Sequence, residues 1–149
     1  MDVMIEHFKP YIIKLHVVEL EPENYHLFAR GKWKGIPINI IIDTGASHTC
    51  FDVDFYKAHC SDETTHNKEG LNVGIGSSEL KTQIAPMTDL KIGRFNVHDF
   101  QVVLLSLEHV NNAYKSVNIP KAHCILGSDF FVSYHAVIDY SQQKLTLFS

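Results

Sequence analysis

The chain has 149 residues, 45% hydrophobic and 20% charged, with a formal net charge of -4. These are the proportions of an ordinary globular domain with room for a sizeable core. They exclude nucleic acid as the main partner, because no basic stripe stands ready to neutralise phosphates. No apolar stretch is long enough to cross a bilayer. The segment Met1 to His7 carries acids where a signal peptide carries a basic region, so a cytoplasmic protein without a membrane partner is expected. Cys50, Cys60 and Cys124 are odd in number and lack paired spacing, and they read as reduced thiols.

In chain order, Tyr11 to Leu20 alternates loosely and suggests one strand, followed by a turn at Glu21-Pro22-Glu23-Asn24. Tyr25 to Gly31 is a second strand, and Lys32 to Gly35 holds a hairpin turn. Ile36 to Asp43 is a third, with Pro37 near its start, where a missing N–H does least harm. Thr49 to Phe51 continues as a short strand. Asp52 is a plausible N-cap for a helix through Ala58. Ser61 to Glu69 is polar and reads as an exposed loop. Gly74-Ile75-Gly76, with strand-like flanks on both sides, reads as a mobile hairpin tip. Glu79 to Met87, Thr88 to Ile92 and Asn96 to Leu105 read as strands.

Residues 106–119 form an insertion. Leu107, Val110 and Tyr114 are spaced by three and four, as on a helix. Ile125-Leu126-Gly127 is a short buried strand ending in glycine. Ser128 or Asp129 can cap a short helix through Tyr134. Ala136 to Asp139 and Lys144 to Phe148 pair as a final hairpin. Many short strands with turn signals and one to three short helices predict a mainly β, closed barrel. Residues 1–149 read as a single domain, in which 1–24 is an N-terminal extension that adds a strand.

Ten histidines raise the question of zinc, with His59-Cys60 and His123-Cys124 as the suggestive pairs. Adjacent residues on an extended strand point to opposite faces, so such pairs rarely chelate one ion. No Cys-x-x-Cys is present, and no metal or other cofactor is expected.

The densest chemical signal is Ile38 to Ser47. A β-branched apolar run climbs straight into Asp43, and Thr44, Gly45 and Ala46 follow. An acid at the tip of a buried strand is costly unless it is paired, hydrogen-bonded or used. Asp52, Asp54 and Asp139 lack this setting and read as caps and surface acids. The ordered set of Asp43-Thr44-Gly45, the Gly74-Ile75-Gly76 tip and Ile125-Leu126-Gly127 resembles the single-lobe, retropepsin-like aspartic proteases. The resemblance covers roughly Tyr25 to Phe148.

It implies a homodimeric endopeptidase in which Asp43 of each copy supplies one of two carboxylates that share a proton and activate water. One Asp-Thr-Gly per chain leaves no second carboxylate in the same copy. Thr44 would bond across to the partner, and Gly45 would present backbone groups to the acid and the substrate. Gly74, Ile75 and Gly76 would form a flap over a bound peptide. Gly127 would let its strand pack under the Asp43 loop. The alternative is a monomeric or inactive retropepsin-like domain that binds peptides without cutting them. Ser47, His48 and Ser128 stand where retroviral members carry an ion pair, which places the chain nearer cellular or bacterial members. Ala46 lacks the hydroxyl that pepsin-type lobes carry there, so the pair should hold its proton to higher pH, with activity in mildly acidic to near-neutral conditions.

Overall fold

A computed structural model describes residues 8–60, residues 82–149 and the backbone of 66–68. The order begins with β1 (Pro10–Lys14), β2 (His16–Glu21), β3 (Asn24–Trp33), β4 (Ile36–Ile42), β5 (Cys50–Asp52) and α1 (Val53–His59). It continues with β6 (His66–Lys68), β7 (Thr82–Met87), β8 (Leu90–Ile92), β9 (Phe95–Val97), β10 (Phe100–Leu105) and α2 (Glu108–Ser116). It ends with β11 (Cys124–Leu126), α3 (Ser128–Ser133), β12 (Val137–Asp139) and β13 (Lys144–Phe148). This is a mainly β chain with three short helices.

One long sheet runs β6-β7-β10-β5-β11-β4-β3-β8-β9, with β2 added onto β3, and it curls into a nearly closed barrel. A small sheet, β1-β13-β12, lies beside it. Both sheets feed one apolar core. Trp33, Phe51, Ile92, Phe95, Leu126, Phe130, Leu145 and Leu147 are all fully buried there. Trp33 organises one end. Its ring stacks on Tyr56 of α1 at 5.5 Å and meets Phe51 edge-on at 4.9 Å, while its indole N–H donates to the Thr88 carbonyl at 3.1 Å.

The strands form where β-branched and aromatic residues cluster, and they turn where the backbone can be reversed cheaply. Lys34 and Gly35 both take positive φ, 51° and 78°, so Trp33 pairs directly with Ile36 across a two-residue turn. Such a primed turn matches the twist of the strands it joins.

Four expectations needed correction. Tyr11 to Leu20 is two strands. The chain changes sheets at Leu15, which is buried and donates its N–H to the Gln143 carbonyl at 2.8 Å. Asn96 to Leu105 breaks at Asp99, whose φ of 53° cannot continue a strand. Within the polar stretch 61–69, His66 to Lys68 pair with Thr82 to Ile84 as β6. Finally, the N-cap of α3 is Gly127, which has no side chain to cap with, and the Asp129 carboxylate inside the first turn accepts the Phe130 N–H at 2.8 Å as well as bonding Thr49.

Asp52 does cap α1, accepting the Phe55 N–H at 3.1 Å, but it is no surface acid. It is 4% exposed and its other oxygen accepts the Leu107 N–H at 2.9 Å. That bond ties the start of α2 to the start of α1. The far side of α2 is tied by Asn111, whose amide and carbonyl both bond the backbone of Ala122, at 3.0 and 2.8 Å.

His123 just before β11 sets a pH dependence of stability. Its Nδ1 accepts the Asn39 N–H at 3.1 Å, which requires the neutral ring, and burial, helped by Lys121, lowers its pKa. The unfolded chain therefore takes up a proton before the folded one does. The stabilisation is fully present above the unfolded value near 6.5 and is lost as pH falls towards and through the lower folded value. In thermal melts from pH 8 to pH 5, the Tm advantage of wild type over His123→Gln is expected to shrink with acidification. An advantage that holds constant across that range would contradict this reading.

Candidate active site

Three strands set the site. β4 and β11 run parallel, with Ile41 opposite Ile125 and Ile42 opposite Leu126, and β5 lies antiparallel on the far side of β11. The ladder continues one step past β4, where the Asp43 N–H donates to the Leu126 carbonyl at 3.0 Å. Asp43 and Gly127 therefore leave the barrel side by side, and the chain from each turns over the other. The Ser128 N–H donates to the Ala46 carbonyl at 2.8 Å. The Gly127 N–H donates to the Thr49 hydroxyl at 3.0 Å.

Gly127 is required by this closeness. A Cβ there would lie 2.7 Å from the Ala46 carbonyl oxygen and 2.9 Å from the His48 carbonyl carbon. Gly127 thus lies against the backbone of the Asp43 loop with no room for a side chain between them.

The chain reading missed a second lock. Thr49, itself buried, donates both its backbone N–H and its hydroxyl to the Asp129 carboxylate, at 2.9 and 2.8 Å. Asp129 sits in the first turn of α3, so the Asp43 loop is fastened to the helix as well as to β11. A Thr and an Asp eighty positions apart leave no local trace of such a bond.

The Asp43 carboxylate stands at the surface. Its Oδ1 accepts the Gly45 N–H at 3.0 Å, and its main-chain carbonyl accepts the Ala46 N–H at 3.1 Å. Thr44 beside it is exposed. Both open into a cleft of about 550 Å³ whose floor is Leu27, Ile41, Ile42 and Ile125. Val110 and Tyr114 of α2 form one wall, and Ile138 and Tyr140 form the other. Helix α2 thus brings two side chains against the site, which the sequence pattern alone did not indicate.

Two potentially reactive neighbours are held neutral. Burial first, then the charges of Asp129 and Asp43, pushes the Cys50 thiol up to about 12. Burial and the Asp43 charge push the Tyr114 hydroxyl up to about 12.

Gly74, Ile75 and Gly76 lie outside the described residues. The histidine–cysteine pairs are otherwise engaged. The His59 ring bonds the Phe55 carbonyl at 2.9 Å, and Cys124 is fully buried under β4 and β5. Among the described residues, no group of three His, Cys, Asp or Glu side chains is placed to hold a metal ion, and no helix is long and apolar enough to cross a membrane.

The fold is shared with known structures at low identity. A retropepsin-like aspartic protease from Rickettsia conorii superposes with a TM-score of 0.56 and 15% identity, over 95% of this chain and 92% of that one. The retroviral protease-like domain of Ddi1 from Leishmania major superposes with a TM-score of 0.55 and 14% identity, over 82% of this chain and 87% of that one. No curated protein matches the sequence. The family model described as aspartyl protease matches residues 29–130, a span that holds Asp43, Thr44, Gly45, Thr49, Gly127 and Asp129. By that match, and with a single-lobe retropepsin-like fold, the chain belongs to the aspartyl protease family.

Proposed function

We propose that two copies of the chain join across the Asp43 face to form an aspartic endopeptidase. The observation that carries this reading is the Asp43 carboxylate itself. It is exposed at the mouth of an apolar cleft and accepts the Gly45 N–H, on a loop locked twice to the barrel. Among the described residues, no side chain pairs with that acid. Such a carboxylate is half of a pair, and symmetry supplies the other half.

The surface around it suits a partner. Tyr140 is 66% exposed and Tyr25 is 56% exposed, and both line the Asp43 cleft. Next to them, β12 is an edge strand of the small sheet, with Val137 also exposed. Large exposed apolar groups beside a free strand edge favour burial against another surface. Thr44, exposed beside Asp43, would bond across the proposed axis.

In the pair, two close carboxylates cannot both ionise, so one keeps a proton. The ionised one takes a proton from water as the oxygen attacks the peptide carbonyl carbon. The other gives its proton to the carbonyl oxygen. The first acid then protonates the nitrogen as the carbon–nitrogen bond breaks, the second takes back a proton from a hydroxyl of the tetrahedral intermediate, and the pair returns to one shared proton. Gly74, Ile75 and Gly76 would close over the peptide, and the chain's own residues suffice for each step.

Concentration tests this directly. Sedimentation is expected to show a monomer–dimer equilibrium, and cleavage of a peptide library per mole of protein is expected to rise with protein concentration through that same range. A chain that stays monomeric at high concentration with peptide present, and cuts nothing, would instead be a peptide-binding domain of the same fold.

A further inference from the structure

The Asp43 cleft does not end at α2. His26, Val110 and Tyr114 line it, and the same three residues line a second groove of about 360 Å³ on their other side. That groove runs between α2 and the turn joining β2 to β3. Among the described residues its apolar lining is Leu20, Ala113 and Val117, Glu21 is its acid, His109 also lines it, and no lysine or arginine does.

The junction is well defined. His26 Nδ1 lies 2.9 Å from the Tyr114 hydroxyl, and the two rings meet edge-on. Tyr114 is anchored from behind by Phe28, at 5.5 Å between ring centres. The wall is held because α2 is pinned at its start, through Asp52 to Leu107, and again one turn on, through Asn111 to Ala122. A chain lying over Asp43 would reach the second groove by crossing the ridge that the bonded His26 and Tyr114 side chains make between them. Glu19 and Glu23, on the same turn as Glu21, are exposed and add to its negative charge.

We propose that this second groove is a distal substrate subsite. It takes peptide residues remote from the scissile bond on one side, with an apolar side chain against Leu20 and Val117 and a basic residue beside Glu21. That role rests on Asp43 lying at the centre of a peptide cleft. Continuity through three shared residues favours a peptide that fills both spaces at once. Glu21, with Glu19 and Glu23 on the same turn, disfavours an anionic occupant.

The test uses binding, so that it does not depend on cleavage. Asp43→Asn protein is mixed with a library of random peptides long enough to span both spaces, and retained peptides are identified by mass spectrometry. They are expected to share an apolar residue next to a basic one at a fixed offset. Adding Val117→Asp, at a position 40% exposed, is expected to erase that preference and weaken the best peptide by about tenfold, because one apolar contact is lost. Adding Val132→Asp, on the exposed face of α3, is expected to change neither. Identical retention by the Val117→Asp protein, or no retention by Asp43→Asn itself, overturns the subsite. Cleavage by the wild-type chain is read separately. Peptides held with the distal preference but never cut leave the subsite standing and remove the endopeptidase reading. Peptides cut without that preference do the reverse.

Discussion

Changing Asp43 to asparagine is expected to lower peptide cleavage by about 10³-fold or more, without altering the fold or the Tm. The stability half of this expectation comes from the surroundings of the side chain. Asp43 is exposed, and the bond that its carboxylate makes is from the Gly45 N–H to Oδ1. An asparagine carbonyl accepts that same bond. Its loop remains held by the Leu126 carbonyl and by the Thr49 and Ser128 contacts, none of which uses the Asp43 side chain. The catalytic half comes from the chemistry, because an amide can neither take a proton from water nor share one with a second acid.

The variant also reports on stoichiometry. When equal amounts of wild type and variant are mixed and allowed to exchange, hybrid dimers carry one acid. Activity is then expected to fall to about a quarter of that of the same total amount of wild type. A library assay at mildly acidic to near-neutral pH, beside thermal melts, reads both halves. Cleavage that persists in the variant would remove Asp43 from the mechanism.

The second large effect is expected from Gly127→Ala, a single methyl that touches no substrate. The stability loss is expected to be about 3 kcal/mol, a Tm drop of roughly 10 °C. The added carbon would meet the Ala46 carbonyl oxygen at 2.7 Å and the His48 carbonyl group at 2.9 and 3.0 Å. All are backbone atoms of the loop that carries Asp43, so no side chain can swing aside. Relief requires moving that loop away from β11, which loosens the bonds from Ser128 to Ala46 and from Gly127 to Thr49. Activity is therefore expected to fall with stability. Gly35→Ala supplies the contrast. Nothing lies within 4 Å of a Cβ at that turn, and the strain comes only from its φ of 78°. It is expected to lower stability by about 1 kcal/mol, with cleavage retained. Equal effects of the two substitutions would show that the loop relieves the close contact cheaply, because Gly127, at a φ of -105°, has no strained backbone angle of its own.

Much of the barrel was legible residue by residue. The turn at Lys34-Gly35, the cap at Asp52 and the final hairpin from Val137 to Phe148 are each written within a few neighbouring positions. The helical spacing of Leu107, Val110 and Tyr114 marked α2 correctly, but not what it would touch. Other features were illegible because their partners are distant. The break at Leu15 depends on a bond to Gln143, and the burial of Asp52 depends on Leu107. The ridge beside the cleft joins His26 to Tyr114, 88 positions apart.

Asp43 shows where the division falls. Its place at the end of an apolar β-branched run, followed by Thr44 and Gly45, was determined by the sequence alone, since strand burial and a small-residue turn are local properties. Resemblance joined that segment to Gly127. Only the tertiary structure decided how the loop is held, through Thr49 and Asp129, and what faces the acid, through α2. Hydrogen bonds and side-chain packing between distant segments depend on three-dimensional placement, and no window along the chain contains both partners.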